Sequence, residues 1–278
     1  HMTTSTHLRP DLTDKVVVVT GSSRGIGKAI AIACAQRGAA VVLNGRNQER
    51  LASAKAAVEE HTSRVHVVCG DVSDPKEGRR LIEEAVATFG RLDLLVNNVG
   101  VSMRGAVADL QPEVFQTVFA SNVFGTVNPT IPAIPELRKT KGSIIFISSL
   151  AGIRGLPSLS AYCSSKMALR ALAESIRIEE HAHGIHVGLI QVGITEIEHN
   201  KETIAADGSL QVLQDRAKGK VQTTEQVALA VLDNLRKRTF ITTLTAIGKL
   251  NAFLQPRVPM LVEKIILNSL DKFAEKSK

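Results

Sequence analysis

The only tyrosine of the chain, Tyr162, stands four positions before Lys166 in the stretch Tyr162-Cys163-Ser164-Ser165-Lys166. On a helix that spacing brings both side chains to one face, about 5–6 Å apart at Cβ. A free phenol titrates near pH ~10, so proton exchange at neutral pH requires its anion to be stabilised by roughly 3 units, or about 4 kcal/mol. One ammonium at about 4 Å supplies roughly that much at a partly buried effective dielectric, but only about 1 kcal/mol in bulk water. The pair can therefore do acid–base chemistry only in a cleft that largely excludes water; anywhere else it is a helix face like many others.

The elements that would build such a cleft are legible upstream. Lys15-Val16-Val17-Val18-Val19-Thr20 is a β-branched run ended by glycine, the pattern of a strand buried on both faces. Gly21-Ser22-Ser23-Arg24-Gly25-Ile26-Gly27 then opens an alanine-rich helix to about Arg37. Glycines allow a sharp turn and a close approach of backbone to pyrophosphate, and the helix start offers free N–H groups and a positive dipole end. The spacing is GxxxGxG, so the GxGxxG fingerprint is not present. A second strand, Ala40 to Asn44, runs into Gly45-Arg46-Asn47. An acid about 20 residues past a dinucleotide loop would hold the 2′-hydroxyl of NAD. That place here holds Gly45 and Arg46, and Arg24 can reach the same region, so a 2′-phosphate, and hence NADP, is favoured.

Further repeats follow: a helix from about Gln48 to Glu60, a strand from Arg64 to Gly70, and Asp71-Val72, where an acid could meet adenine. Asp74-Pro75 is a helix cap with proline at the first helical position, and the helix runs to about Phe89. Leu92 to Val96 forms the fourth strand, ending in Asn97-Asn98-Val99-Gly100. Strands alternating with helices at this rhythm predict a doubly wound parallel α/β sheet.

With the motifs TGSSRGIG, NNVG, Asn122, Ser149 and YCSSK in this order, and Ser149 thirteen residues before Tyr162, the chain resembles the short-chain dehydrogenase/reductase family over roughly residues 12–245. The resemblance implies a Rossmann-type single domain with about seven strands and a catalytic tetrad of Asn122, Ser149, Tyr162 and Lys166. It further implies a dinucleotide held by Gly21, Ser23, Arg24, Gly25, Ile26, Gly27, Arg46, Asn47, Asp71, Val72, Asn98, Val99, Gly100, Tyr162, Lys166, Ile194 and Thr195. In that scheme Lys166 holds the nicotinamide ribose and Asn122 a water in a proton relay. Ser149, at the end of the strand Ser143 to Ser148, sits at the carboxyl edge of the sheet, where doubly wound folds bind ligands; there it can orient a carbonyl for Tyr162 to protonate. The chain departs from the family where Val99 replaces a usual alanine and Val192-Gly193 a usual Pro-Gly. Pro129, Pro132 and Pro135 fall in the helix that relatives pair across a subunit interface, so a bent or broken helix is expected there, and with it doubt about the usual tetramer; a homo-oligomer, dimer or tetramer, remains the expectation.

Residues 194–222 are polar, weakly periodic and marked by Asp207-Gly208, and the resemblance implies that they form the substrate lid; Thr223 with Gln226 reads as a capping box for a helix to about Arg238, and Phe240 to Thr243 as the last strand. Residues 246–278 form a helical extension. Ile247, Leu250, Phe253, Leu254, Leu261, Ile265, Ile266 and Leu270 recur at helical spacing, with Lys249, Arg257, Lys264 and Lys272 among them. Such a stripe suits the core, a subunit contact, a membrane surface or a cover for a greasy substrate.

At 278 residues and 44% hydrophobic, the chain is globular. His1-Met2 reads as a tag remnant, and residues 1–11 as a lead-in outside the fold. No apolar run approaches the ~18 residues of a membrane span, and no signal peptide is apparent, so a cytoplasmic protein, with peripheral membrane contact through 246–278 as an added option, is expected. Cys34, Cys69 and Cys163 are odd in number and widely spaced, which suits reduced thiols. The net charge of +7 is diffuse and aromatics are 3%, so nucleic acid is not an expected partner. His61, His66, His181, His183, His186 and His199 show no metal-ligand spacing, and no metal is expected. The composite expectation is an NADP(H)-dependent oxidoreductase acting on a ketone or secondary alcohol, lipophilic in character: a 3-ketoacyl, ketosphingoid or steroid-like carbonyl. The alternative is a dinucleotide-binding sensor or scaffold without turnover.

Overall fold

The computed structural model describes residues 10–196, 202–213 and 221–270. The lead-in 1–9, His199 and Lys272 lie outside the described residues.

Strands β1 (Val16–Val19), β2 (Ala40–Gly45), β3 (Val65–Cys69), β4 (Leu94–Asn97), β5 (Ser143–Ser149) and β6 (His186–Val192) carry most of one sheet. Two short strands, β7 (Glu202–Ile204) and β8 (Leu210–Val212), pair with each other, and β9 (Ile241–Thr243) closes the main sheet. Its order is β3-β2-β1-β4-β5-β6-β9, with every pair parallel. The four valines of β1 are fully buried, each worth about 1.5–3 kcal/mol relative to exposure, and they lie inside the expected seven-stranded sheet, between β2 and β4.

Helices α1 (Gly25–Ala35), α2 (Gln48–Glu59) and α7 (Thr224–Lys237) cover one face, where Ile30, Leu51 and Val231 meet the sheet. Helices α3 (Pro75–Phe89), α5 (Gly125–Thr140) and α6 (Ser160–Glu179) cover the other, through Leu81, Leu137 and Ile176. Helix α4 (Pro112–Phe119) leads into α5 through a single π-helical turn at Ala120–Phe124, and α8 (Ala246–Leu254) and α9 (Pro259–Leu267) follow the last strand. Caps read from sequence are present: Asp74 accepts from the Lys76 amide, and Thr223 and Gln226 form a reciprocal capping box.

The expectation of a helix broken at its prolines needs correction. α5 runs unbroken from Gly125 to Thr140 with Pro129, Pro132 and Pro135 inside it. Each proline removes one ladder bond at a cost of about 3 kcal/mol in an isolated helix. Tertiary contacts offset it. Ala133 and Leu137 are buried against α3. Asn128 Nδ2 donates to the carbonyls of Val72 and Ser73 at 3.0 and 2.9 Å. The irregularity sits one turn earlier, in the π turn, where the Thr126 hydroxyl donates to the Asn122 carbonyl at 2.9 Å.

The extension also differs from a core stripe. Ile247, Leu250, Phe253, Leu261, Ile265 and Leu270 are all exposed. The span read as an irregular lid contains the β7–β8 hairpin, turned at Asp207-Gly208, with Gly208 at φ +83°.

Candidate active site

The chain order reverses between β1 and β4, which lie side by side and lead to helices on opposite faces, so a crevice opens at their carboxyl ends. The loop after β1 is held open there by missing side chains. Gly21 has φ +60°, and a Cβ on Gly27 would stand 2.4 Å from the Gly21 carbonyl oxygen and 2.5 Å from Asn98 Nδ2. Asn98 stitches the two strand ends together, its Nδ2 donating to the carbonyls of Thr20 and Gly21 at 3.1 and 3.0 Å and its amide to Thr20 Oγ1 at 2.9 Å. The start of α1 is thus presented to a crevice of about 630 Å³, within the usual range for cofactor and ligand sites.

Most residues singled out from sequence line this crevice: Gly21, Ser23, Arg24, Gly25 and Ile26 of the first loop, Arg46 and Asn47 after β2, Asp71 and Val72 after β3, Asn98 to Gly100 after β4, and Thr195, Ser149, Tyr162 and Lys166. Three do not. Gly27 lies behind the loop, packed on Gly21 and Asn98. Ile194 is 54% exposed; its carbonyl accepts from the Gln222 amide at 2.9 Å, so its contribution to the site is backbone order. Asn122 is fully buried. Its Oδ1 accepts from the Val101 amide at 2.7 Å, and its Nδ2 donates to the Val101 carbonyl and Ser165 Oγ at 3.0 and 2.9 Å. Those bonds use both Nδ2 protons and clamp the β4 loop to α6.

Tyr162 and Lys166 share a face of α6, with the ammonium 5.7 Å from the ring centroid. Lys166 is 5% exposed and donates to the Ile147 carbonyl at 3.1 Å. A Cβ on Gly100 would lie 3.2 Å from Lys166 Nζ, so the absence of a side chain at Gly100 is what lets the ammonium approach the β4 loop. Ser149 ends β5, with its Oγ accepting from the Ala151 amide at 3.1 Å. The hydroxyl proton is not consumed by that bond. A phenol, an ammonium and a hydroxyl donor on one wall can orient a ligand oxygen and pass it a proton.

Burial pushes the Asp71 carboxyl up, but hydrogen bonds from Ser73 and the Arg46 guanidinium outweigh it and hold it below the usual range. Arg46 lies 3.5 Å from that carboxylate across the open end of the crevice. Burial raises the Cys163 thiol and pushes Cys34 up to about 12, so neither is poised as a nucleophile. Arg50, Ser102, Thr117, Ser121, Glu196 and Glu202 also line the crevice and were not singled out from sequence. Only Arg50 carried a signal: it lies four residues past Arg46, in the first turn of α2.

A dinucleotide fits these walls. The glycine cradle leaves room for a pyrophosphate at a helix start, and Asn44 Oδ1 and Ser148 Oγ, buried acceptors in the crevice wall, have no hydrogen-bond partner among the described groups.

Residues 15–208 match the family model for short chain dehydrogenases. The chain belongs to that family. It is therefore an oxidoreductase with a Rossmann fold, and its sheet order agrees. It is 34% identical over 238 residues to dehydrogenase/reductase SDR family member 7B of Bos taurus, covering 83% of this chain and 73% of that one. To 3-ketodihydrosphingosine reductase of Bos taurus it is 39% identical over 177 residues, covering 62% of this chain and 53% of the relative, so the match spans about half of that protein's length. Among solved structures, the alcohol dehydrogenase of Thermococcus sibiricus complexed with 5-hydroxy-NADP superposes with a TM-score of 0.74 at 26% identity, covering 84% of this chain and 97% of the other.

Proposed function

We propose that this short chain dehydrogenase is an NADP(H)-dependent reductase or alcohol dehydrogenase of a lipophilic ketone or secondary alcohol, with Tyr162 as its general acid/base. The observation that carries the reading is the joint position of Tyr162, Lys166 and Ser149 on the wall of a crevice whose other end is a glycine cradle at a helix start.

When bound, the nicotinamide supplies or accepts hydride. Ser149 donates a hydrogen bond to the substrate oxygen and fixes its distance from Tyr162. Tyr162 gives its phenolic proton as the oxygen becomes an alkoxide, and takes it back in the oxidative direction. The Lys166 ammonium, nearly buried, favours the phenolate left behind. Asn122 acts behind the site, since its side chain joins the β4 loop to Ser165 on the Tyr162 helix. The preference for NADP rests on Arg24, Arg46 and Arg50, all on the crevice wall, with no acid in the place after β2 that would grip a 2′-hydroxyl. The bound 5-hydroxy-NADP of the Thermococcus relative is in keeping with this, and the 3-ketodihydrosphingosine reductases suggest a long-chain ketone.

The test is Tyr162→Phe assayed by NADPH oxidation over a panel of ketones. Turnover should fall by roughly 10²–10⁴-fold with NADPH affinity within a few fold of the parent. Retained turnover would remove Tyr162 from the chemistry, and no turnover by the parent on any ketone would favour a dinucleotide sensor instead.

A further inference from the structure

The extension after β9 exposes most of its large apolar side chains. On α8 Gly248 is buried and Asn251, Ala252 and Leu254 are half-buried, while Ile247, Leu250 and Phe253, three positions apart, are 74%, 55% and 55% exposed. α9 buries Val262 and leaves Met260, Leu261 and Ile265 exposed. An amphipathic helix ordinarily buries its apolar side against the core; here two successive helices bury a few small or apolar residues and leave most of their large apolar side chains outside.

Their charges are equally one-sided. Between residues 246 and 270 the cations are Lys249, Arg257 and Lys264, and the sole carboxylate is Glu263. Glu263 is committed to Arg154 at 3.0 Å. Over the described residues 246–270 the outward surface is therefore apolar, with three cations against one carboxylate that is paired with Arg154. Arg257 stacks over Phe253 at 4.1 Å, which keeps a guanidinium at the edge of the apolar patch. No helix among the described residues is long and apolar enough to cross a membrane.

We infer that α8 and α9 form a docking face for an anionic lipid bilayer, lying in its interface with the apolar residues in the acyl boundary and the cations at the headgroups. Charge chooses this occupant over a second copy of the chain: two such faces would bring like charges together, while an anionic surface complements them. The face is also tied to the crevice. Arg154, five residues past Ser149, donates to Gln255 Oε1, the Pro259 carbonyl and Glu263 Oε2 at 2.9, 3.0 and 3.0 Å. A bilayer seated on α8 and α9 thus lies on the Ser149 side of the site.

Flotation of the full chain tests this with vesicles of phosphatidylcholine alone and with about one third phosphatidylserine, at about 0.1 M and about 1 M salt. The chain should float with the anionic vesicles at low salt and be largely released at high salt. Each basic residue should be worth about fivefold in partitioning, so Lys249→Gln, Arg257→Gln and Lys264→Gln together should lower it roughly a hundredfold. Leu250→Asp with Phe253→Asp should abolish flotation with NADPH affinity unchanged, which controls for folding. Equal flotation with both vesicle types, flotation of the Asp variant, or no flotation by the parent would each overturn the assignment. A parent dimer that the Asp variant splits, with no vesicle binding, would give the face to a second copy instead. The readout is independent of turnover.

Discussion

Two glycines behind the walls of the crevice, one under its first loop and one against Leu150, show how differently those walls are built. A Cβ on Gly27 and a Cβ on Gly248 would each come within 2.4 Å of a neighbour. For Gly27 the neighbour is the Gly21 carbonyl oxygen, part of the turn itself; for Gly248 it is a terminal methyl of Leu150, the far end of a flexible side chain. The cofactor side is a backbone turn locked by the Asn98 side chain, where little can yield. The substrate side is side chains gathered from distant segments, which can move. Function that depends on main-chain geometry is written in local motifs, and function that depends on long-range side-chain packing is not.

Gly27→Ala is expected to break the first side outright. Steric overlap with the turn should cost about 3 kcal/mol, or roughly 5–10 °C in thermal midpoint, and weaken both NADPH and NADH by more than about a hundredfold. Titration of both cofactors by fluorescence checks it; near-parental binding would mean the turn is softer than its geometry implies.

The same contrast explains what could be read from the sequence. The β-branched strands, the Asp74-Pro75 and Thr223/Gln226 caps and the Tyr162/Lys166 spacing are local codes, and the fold they specify is the one observed. The β7–β8 hairpin was signalled by Asp207-Gly208, but its strands are three residues each, too short to show alternation. The continuity of α5 was not readable, because packing against α3 outweighs three prolines and leaves no trace in the local pattern. Nor was the Arg154 clamp, which joins residues about a hundred positions apart. Asn122 was found by its motif, yet its bonds to Val101 and Ser165 required the coordinates.

A finer cut separates charge from backbone within the cofactor side. Arg46→Ala leaves the turn intact and should weaken NADPH about tenfold while NADH changes little. Equal losses would assign Arg46 to the adenine and move the phosphate to Arg24 and Arg50. On the substrate side, Gly248→Ala should gain helix propensity, about 1 kcal/mol, against the shift of Leu150, leaving the thermal midpoint within a few degrees. Because Leu150 follows Ser149, KM for a bulky ketone should change a few fold with NADPH affinity constant. A loss of stability as large as that of Gly27→Ala would erase the distinction between the two sides.

The smallest expected effect concerns the ion pair between Arg46 and Asp71. Both side chains are substantially exposed, at 73% and 45%, so the pair should add little to stability; its consequence lies in where it holds the guanidinium. Asp71→Asn removes the competing anion and should tighten NADPH two- to threefold near neutral pH, by an order-of-magnitude reading of an exposed pair, with NADH unaffected. In the unaltered protein the Asp71 carboxyl is held below its ordinary value. A group with a depressed folded pKa keeps its partner at every pH above the ordinary range and loses it only as pH falls through the depressed value. Protonation of Asp71 therefore cannot account for any change in the NADPH/NADH preference between about pH 8 and pH 5. Over that window, of these groups only the 2′-phosphate titrates, with a second pKa of ~6, so the ratio should fall toward low pH along the same curve in the unaltered chain and in Asp71→Asn, offset by the constant factor. A slope in the unaltered chain that differs from that in Asp71→Asn would mean the carboxyl titrates near neutrality, and that the bonds from Ser73 and Arg46 do not outweigh its burial.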